Sequence, residues 1–210
     1  MKIIFLGDSI TEGWAATDFN HSFVATIGDM LGIKTKAYGI GGTRIACQPG
    51  DDTDNLYFGR RVKDMDKDAD YVFVMGGTND YGHGRAPLGK FSDKSHDTFY
   101  GGMNYLVEEL LKYYSNEKII FLSPLYRFNE ADPHGNYKTY PIAPLDKYRE
   151  IIVDVLNRHN IAYWDIKDEF GKPLSENDEG VYYDGLHPNT NGHHLLAEII
   201  IKHMKENNII

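Results

Sequence analysis

The run Tyr71-Val72-Phe73-Val74-Met75, stopped by Gly76-Gly77, constrains the fold of this chain more than any other stretch. Its residues are β-branched, aromatic or otherwise apolar, with no polar alternation, so a strand built from them must be covered on both faces. Such a strand belongs in a parallel sheet with helices above and below. Further strand runs occupy 2–6, ending at Gly7; 34–38, weaker and more polar, ending in Gly39-Ile40-Gly41-Gly42; 118–122, stopped by Ser123-Pro124; and 161–166. Between the runs, apolar residues return at helical spacing. Phe23, Ile27, Met30 and Leu31 form one such face, halted by Gly32; Met103, Leu106, Val107, Leu110, Leu111 and Tyr114 form the next. Leu145, Tyr148, Ile151, Ile152, Val155 and Leu156 give a third, and Leu195, Leu196, Ile199, Ile200 and Met204 a fourth, on a helix starting near Asn191.

Alternating strands and helices predict an α/β fold: a three-layer α/β/α sandwich around a flavodoxin-like five-stranded parallel sheet of order 2-1-3-4-5. Residues 1–210 are read as one domain, because no repeat, low-complexity tract or linker divides them. The segment 55–65 reads as helical and the charge run 64–70 as a solvated turn. Residues 82–95 read as a glycine-rich polar loop, and 127–141 as a long insertion of the kind that carries function in a compact domain.

Composition narrows the partners. With 41% hydrophobic and 13% aromatic residues the chain has enough apolar surface to fold, and a formal charge of -9 argues against a phosphate backbone as ligand. The single cysteine, Cys47, excludes an intramolecular disulfide and a cysteine-based zinc cluster. No apolar run approaches a membrane span or a signal-peptide core, so a cytoplasmic location is expected, although a chain trimmed of a leader would read the same way. The expected partner is a small molecule, with no cofactor or metal; the oligomeric state is not legible.

In the predicted sheet, strands one, two and three end side by side at the ligand-binding edge. Their turns read Gly7-Asp8-Ser9, Gly39-Ile40-Gly41-Gly42-Thr43 and Gly76-Gly77-Thr78-Asn79-Asp80, and a late loop carries Asp184-Gly185-Leu186-His187. Ser9 is a candidate nucleophile, which needs a base and a set of donors for the oxyanion. His187 could take its proton, and Asp184 could hold the other ring nitrogen. The Ser9 and Gly42 backbone N–H groups and the Asn79 carboxamide are the candidate oxyanion donors. Asp8, Tyr81, Arg127 and Tyr183 are candidate substrate contacts, Asp8 also as an aid to local geometry, and Glu130 and His134 join them in the insertion.

These blocks resemble the SGNH (GDSL-like) hydrolase family. Ser9 stands in Gly-Asp-Ser-Ile-Thr, Gly42 in Gly-Ile-Gly-Gly-Thr, Asn79 in Gly-Thr-Asn-Asp, and Asp184 with His187 in Asp-Gly-Leu-His-Pro, in the family's order from Gly7 to Pro188. Ile10 replaces the leucine of the family name, and Ala37-Tyr38 precede the second block where asparagine is common. The resemblance implies a serine esterase or acylhydrolase that cleaves small acyl esters, acetyl among them and carbohydrates among their carriers, through an acyl-enzyme.

Plainer roles exist for the same residues. Ser9 and Glu12 are spaced as a helix capping box, Gly42 as a turn glycine, Asn79 as a strand terminator and Asp184 with His187 as loop residues. Tyr57, Phe58, Tyr126, Phe128, Tyr137, Tyr140 and Tyr182 could line a pocket or simply pack loops onto the core. His193 and His194 read as packing or solvated residues, and Cys47 as an ordinary thiol. Two rival functions use the same blocks: a metal-dependent phosphoesterase with Asp8, Asn79, Asp80, Asp184 and His187 as ligands, and a catalytically inactive binding module.

Overall fold

A computed structural model of the chain describes residues 1–48, 56–135, 138, 141–176 and 180–210. Five parallel strands, β1 (Lys2–Gly7), β2 (Lys34–Gly39), β3 (Tyr71–Met75), β4 (Ile119–Leu122) and β5 (Ala162–Trp164), form one sheet in the order β2-β1-β3-β4-β5. The central register sets Leu6 beside Tyr38 on one side and Val74 on the other, and Gly7 beside Gly39 and Met75. The ends of β1, β2 and β3 are therefore level, which puts the three turns that follow them on one edge.

Each strand residue faces one of two cores because successive side chains point to opposite faces. Ile4, Leu6, Val72, Val74 and Phe121 meet the helices α5 (Phe99–Leu111) and α6 (Leu145–Arg158), through Leu106, Leu110, Ile152 and their neighbours. Ile3, Phe5, Phe73 and Met75 meet α2 (Phe23–Leu31) and α8 (Thr190–Glu206), through Phe23, Ile27, Leu196 and Ile200. This division explains why β1, β3 and β4 have no polar face, whereas the edge strand β2 exposes Lys34 and Lys36. Four short α-helices, α1 (Ser9–Glu12), α3 (Phe58–Arg61), α4 (Thr78–Gly82) and α7 (Lys167–Phe170), accompany these elements, with single tighter turns at Phe19–His21, Val62–Asp64 and Asn116–Lys118.

Three of the four long helices begin on side-chain caps: Ser22 accepts from the Ala25 N–H, Thr98 from Gly101 and Asn189 from Gly192; α6 begins on Pro144 without one. At the other end of α2, Gly32 takes φ +62°, a left-handed conformation that glycine adopts without strain.

Three details depart from the sequence reading. Met30 is half exposed rather than in the core, because α2 presents only Phe23, Val24, Ile27 and Gly28 as buried. The fifth strand is three residues long instead of the run 161–166, with Ile166 already at the edge of α7. Of the helical segment read over 55–65, the structure has α3 and a tighter turn over 62–64, while Asn55 lies outside the described residues.

The approach of α1 to β2 leaves no room at Gly39. A Cβ there would stand 2.1 Å from the Glu12 nitrogen and 2.5 Å from the Thr11 carbonyl carbon, both backbone atoms that cannot step aside. Gly39→Ala is expected to lower stability by at least about 2 kcal/mol, read as a reduced urea midpoint with unchanged slope, because overpacking against backbone is relieved only by moving an element.

Candidate active site

The turn after β1 becomes α1 within one residue. Asp8 is its N-cap, accepting the Ile10 N–H through Oδ1 at 3.1 Å, and Gly13 ends the helix after four residues at φ +91°. The capping-box alternative for Ser9 and Glu12 is not what forms. Glu12 Oε2 instead accepts the Gly41 N–H at 2.8 Å, from a loop 29 residues away. That bond occupies the Gly41 donor, and the next residue, Gly42 at φ +74°, lines the cleft with Ser9.

Ser9, at the start of α1, meets the remote loop directly. Its Oγ lies 2.9 Å from His187 Nε2, and His187 Nδ1 lies 2.8 Å from Asp184 Oδ2. A carboxylate only accepts, so Nδ1 carries the ring proton and Nε2 is the basic nitrogen that accepts the Ser9 hydroxyl. Asp184 Oδ1 also accepts the His187 and Leu186 N–H groups at 2.8 and 3.2 Å, and Gly185 at φ +70° turns the chain between them. Burial opposes the charge on Asp184, yet the hydrogen bonds from His187 and Leu186 outweigh it and hold the carboxyl below its usual range. The loop is closed by the bridge between Tyr182 and Pro188 and by the Tyr182 hydroxyl, which donates to the carbonyls of Tyr126 and Gly171.

The third block clamps the second. Asn79, in α4, donates through Nδ2 to the Thr43 carbonyl at 3.0 Å, one of the two N–H bonds its carboxamide offers. Asp80 accepts the Ile45 and Ala46 N–H groups at 2.9 Å each, one per oxygen. It is buried, and burial pushes its carboxyl up against the pull of those two bonds. Both oxygens are thus engaged in holding the loop after β2. Among the described residues no three His, Cys, Asp or Glu side chains come together as a metal-binding group.

Ser9, Gly42, Asn79, Asp184 and His187 all line one open cleft of about 610 Å³. Arg127 lines it as well, although its guanidinium is largely buried and donates to the Thr78 carbonyl and hydroxyl at 2.9 and 3.0 Å. Two of the expected substrate contacts are elsewhere. Tyr81 is fully buried, stacks edge-on against Tyr148 and spends its hydroxyl on the Asn129 and Asp132 carbonyls. Asp8 is buried beneath α1, where it is a cap rather than a contact.

Tyr183 is exposed, at the rim, and Phe128 and Glu176 stand on the cleft wall with Gly185. Glu130 is paired with Arg149, which also holds the Pro124 and Leu125 carbonyls and so fixes the segment carrying Phe128. His134 pairs with Asp132 instead of entering the cleft. Tyr57, Tyr126 and Tyr182 pack in the interior, as does Phe58, while Tyr137 and Tyr140 lie outside the described residues.

Two residues that pattern reading passed over, Trp14 and His83, also line the cleft. Trp14 lies against His187, with ring centroids 4.1 Å apart. His193, fully buried on α8, accepts the Phe23 N–H through Nδ1 and donates through Nε2 to the Trp14 carbonyl at 3.1 Å. His83 enters the cleft from the end of α4 and receives an Arg44 N–H at 3.0 Å. A glycine-flanked tryptophan at the end of a four-residue helix has no periodicity that would have marked it.

A model of the GDSL-like lipase/acylhydrolase family matches residues 5–195. None of the curated proteins matches the chain significantly. Among solved structures, a protein from Lactobacillus plantarum superposes with a TM-score of 0.80 at 23% identity, over 98% of this chain and 96% of that one. A carbohydrate acetylesterase from Sinorhizobium meliloti gives 0.70 at 16% identity, covering 98% of each chain. An acetyl xylan esterase gives 0.65 at 21% identity, over 97% of this chain and 99% of that one. At these identities the likeness is one of fold.

Burial holds the Asp8 carboxyl up at about 6, against the Ile10 hydrogen bond and the fields of His187 and Arg61. The folded chain therefore keeps a proton that the unfolded chain releases, and Asp8 costs stability as pH rises between about 4 and 6. Asp8→Asn keeps an acceptor for the Ile10 N–H and removes the charge. Relative to wild type it should gain up to about 3 kcal/mol more at pH 8 than at pH 4, and urea unfolding at both pH values checks this; an equal effect at both would contradict it.

Proposed function

The chain belongs to the GDSL-like lipase/acylhydrolase family and is a carboxylic ester hydrolase, and from that premise we propose that it is a serine esterase acting on small acyl esters through an acyl-enzyme. The observation that carries this reading is the continuous line of contacts from Ser9 Oγ to His187 Nε2 and from His187 Nδ1 to Asp184. It supplies the base that a serine hydroxyl needs at neutral pH.

In the first half-reaction the Ser9 proton passes to His187 Nε2 while Oγ bonds to the ester carbonyl carbon. The charge that forms on the carbonyl oxygen is met by the Ser9 and Gly42 N–H groups and the second N–H of Asn79. Asp184 stabilises the imidazolium without taking its proton. When the tetrahedral species collapses, the carbon–oxygen bond to the alcohol breaks and His187 gives its proton to the departing oxygen. Water then attacks the acyl carbon, losing a proton to His187; the ester bond to Ser9 breaks and Oγ recovers that proton, releasing the acid.

A short acyl group fits the surroundings. The small cavity lined by Asp8, Ile10, Met75, Gly76, Thr78, Pro124, Leu125 and Leu186 measures about 10 Å³, which is the scale of one water and gives no room for an alkyl chain there. The names of the Sinorhizobium meliloti acetylesterase and of the acetyl xylan esterase point the same way, toward acetyl esters on carbohydrates.

Ser9→Ala should abolish acetate release from acetyl esters while leaving the melting temperature near that of wild type, and a fluorophosphonate should label Ser9 in the wild type alone. Full activity in Ser9→Ala would sink the mechanism. Asn79→Ala should lose roughly 10²–10³ in kcat if its free N–H meets the oxyanion; a variant that loses activity only in proportion to its loss of folded protein would remove Asn79 from that role.

A further inference from the structure

Two large aromatic rings stand exposed beside the base. Trp14 is 45% exposed and Tyr183 63% exposed, although they touch each other edge to face with centroids 5.4 Å apart. Trp14 also leans over the imidazole of His187 at 4.1 Å, inclined by 53°. Their backbones are fixed while their faces are wet. The Trp14 N–H donates to the Ser9 carbonyl at 2.9 Å, its own carbonyl accepts from the buried His193, and the Tyr183 N–H donates to the His187 carbonyl at 2.8 Å. Rings held this firmly in water give up the apolar burial that folding would otherwise reward, and paired exposed aromatics of this kind mark a binding surface.

Their place in the site says which half of the ester they meet. The carbonyl oxygen is drawn to the donors at Ser9, Gly42 and Asn79, while the alcohol oxygen has to reach His187 Nε2 to be protonated. The alcohol therefore emerges at His187, and the wall that stands there is Trp14 with Tyr183 beyond it.

We propose that Trp14 and Tyr183 form the seat for the alcohol half of the substrate and that this alcohol is a neutral sugar ring. The proposal rests on the reading of Ser9 and His187 as nucleophile and base. Three observations favour a sugar. The two rings meet at 85°, forming an open corner and not the enclosed apolar channel that an alkyl alcohol would need. The rest of the cleft lining is mixed, with the exposed Glu176 and Phe128 both against Gly185, so that a ring lying C–H face down on the indole has a partner for its hydroxyls. The formal charge of -9 disfavours an acidic sugar.

The test compares two acetyl esters that differ only in the alcohol, ethyl acetate and a xylose acetate, on wild type, Trp14→Ala, Trp14→Phe and Tyr183→Leu. The seat predicts that the ratio of kcat/KM for the sugar ester to that for ethyl acetate falls about tenfold or more in Trp14→Ala, through KM, and less in Tyr183→Leu, with Trp14→Phe restoring most of it. A second readout is binding without turnover. Trp164 is buried, so indole fluorescence in a Ser9→Ala background reports chiefly on Trp14 and should shift on titration with the xylose acetate.

An unchanged ratio in both single variants, or an equal loss on both esters, would overturn the seat by reducing Trp14 to a support for His187. A wild-type enzyme that cleaves ethyl acetate but no sugar acetate would also overturn it and leave the esterase reading standing. Failure on every ester would instead overturn the reading beneath it.

Discussion

The candidate site depends on a buried guanidinium. Arg61, at the end of α3, donates to the Gly7 carbonyl at 2.9 Å, the Tyr38 carbonyl at 2.7 Å and the Thr43 hydroxyl at 3.1 Å. Those acceptors lie near the ends of β1 and β2 and in the loop that brings Gly42 to Ser9. The Gly7 carbonyl also accepts the Ile40 N–H at 3.3 Å, and a buried carbonyl left unpaired is costly. One arginine satisfies three acceptors and ties two strands to one loop. Burial pulls its pKa down to about 10, with Asp8 and Glu12 opposing that shift, so it remains a cation at neutral pH.

Around that cation the carboxylates divide into two kinds of work. Glu12, Asp80 and Asp8 accept backbone N–H groups and fix loops, while Asp184 accepts from an imidazole as well as from the backbone. A carboxylate with both oxygens on backbone donors is a structural clamp, and Asp80 is the clearest case. Its neighbour Asn79 keeps a donor in reserve because an amide nitrogen has two hydrogens and Thr43 takes one. Adjacent residues in one short helix thus hold the loop and face the cleft.

Much of this was legible from residue types alone. The two-sided cover of the sheet follows from runs such as Tyr71–Met75, whose lack of polar alternation demands helices on both faces. The association of Ser9, Asp184 and His187 was readable because few side chains can do their chemistry and the sheet's topology levels the relevant strand ends. What was not legible depends on partners distant in sequence. Tyr81 looks like a loop aromatic until Asn129 and Asp132 take its hydroxyl into the interior. Glu12 sits at the spacing of a cap, yet a loop amide 29 residues on claims its carboxylate. Trp14 owes its position to His193, on a helix that local pattern cannot connect to it.

The bond between Ser9 and His187 joins positions 178 residues apart. During synthesis the hydroxyl emerges well before the imidazole, and α8, which steadies Trp14, follows both. A chain that stops between the two carries Ser9 without His187 beside it. On the function proposed above, the hydroxyl meets its base only once the intervening chain has been made and has folded.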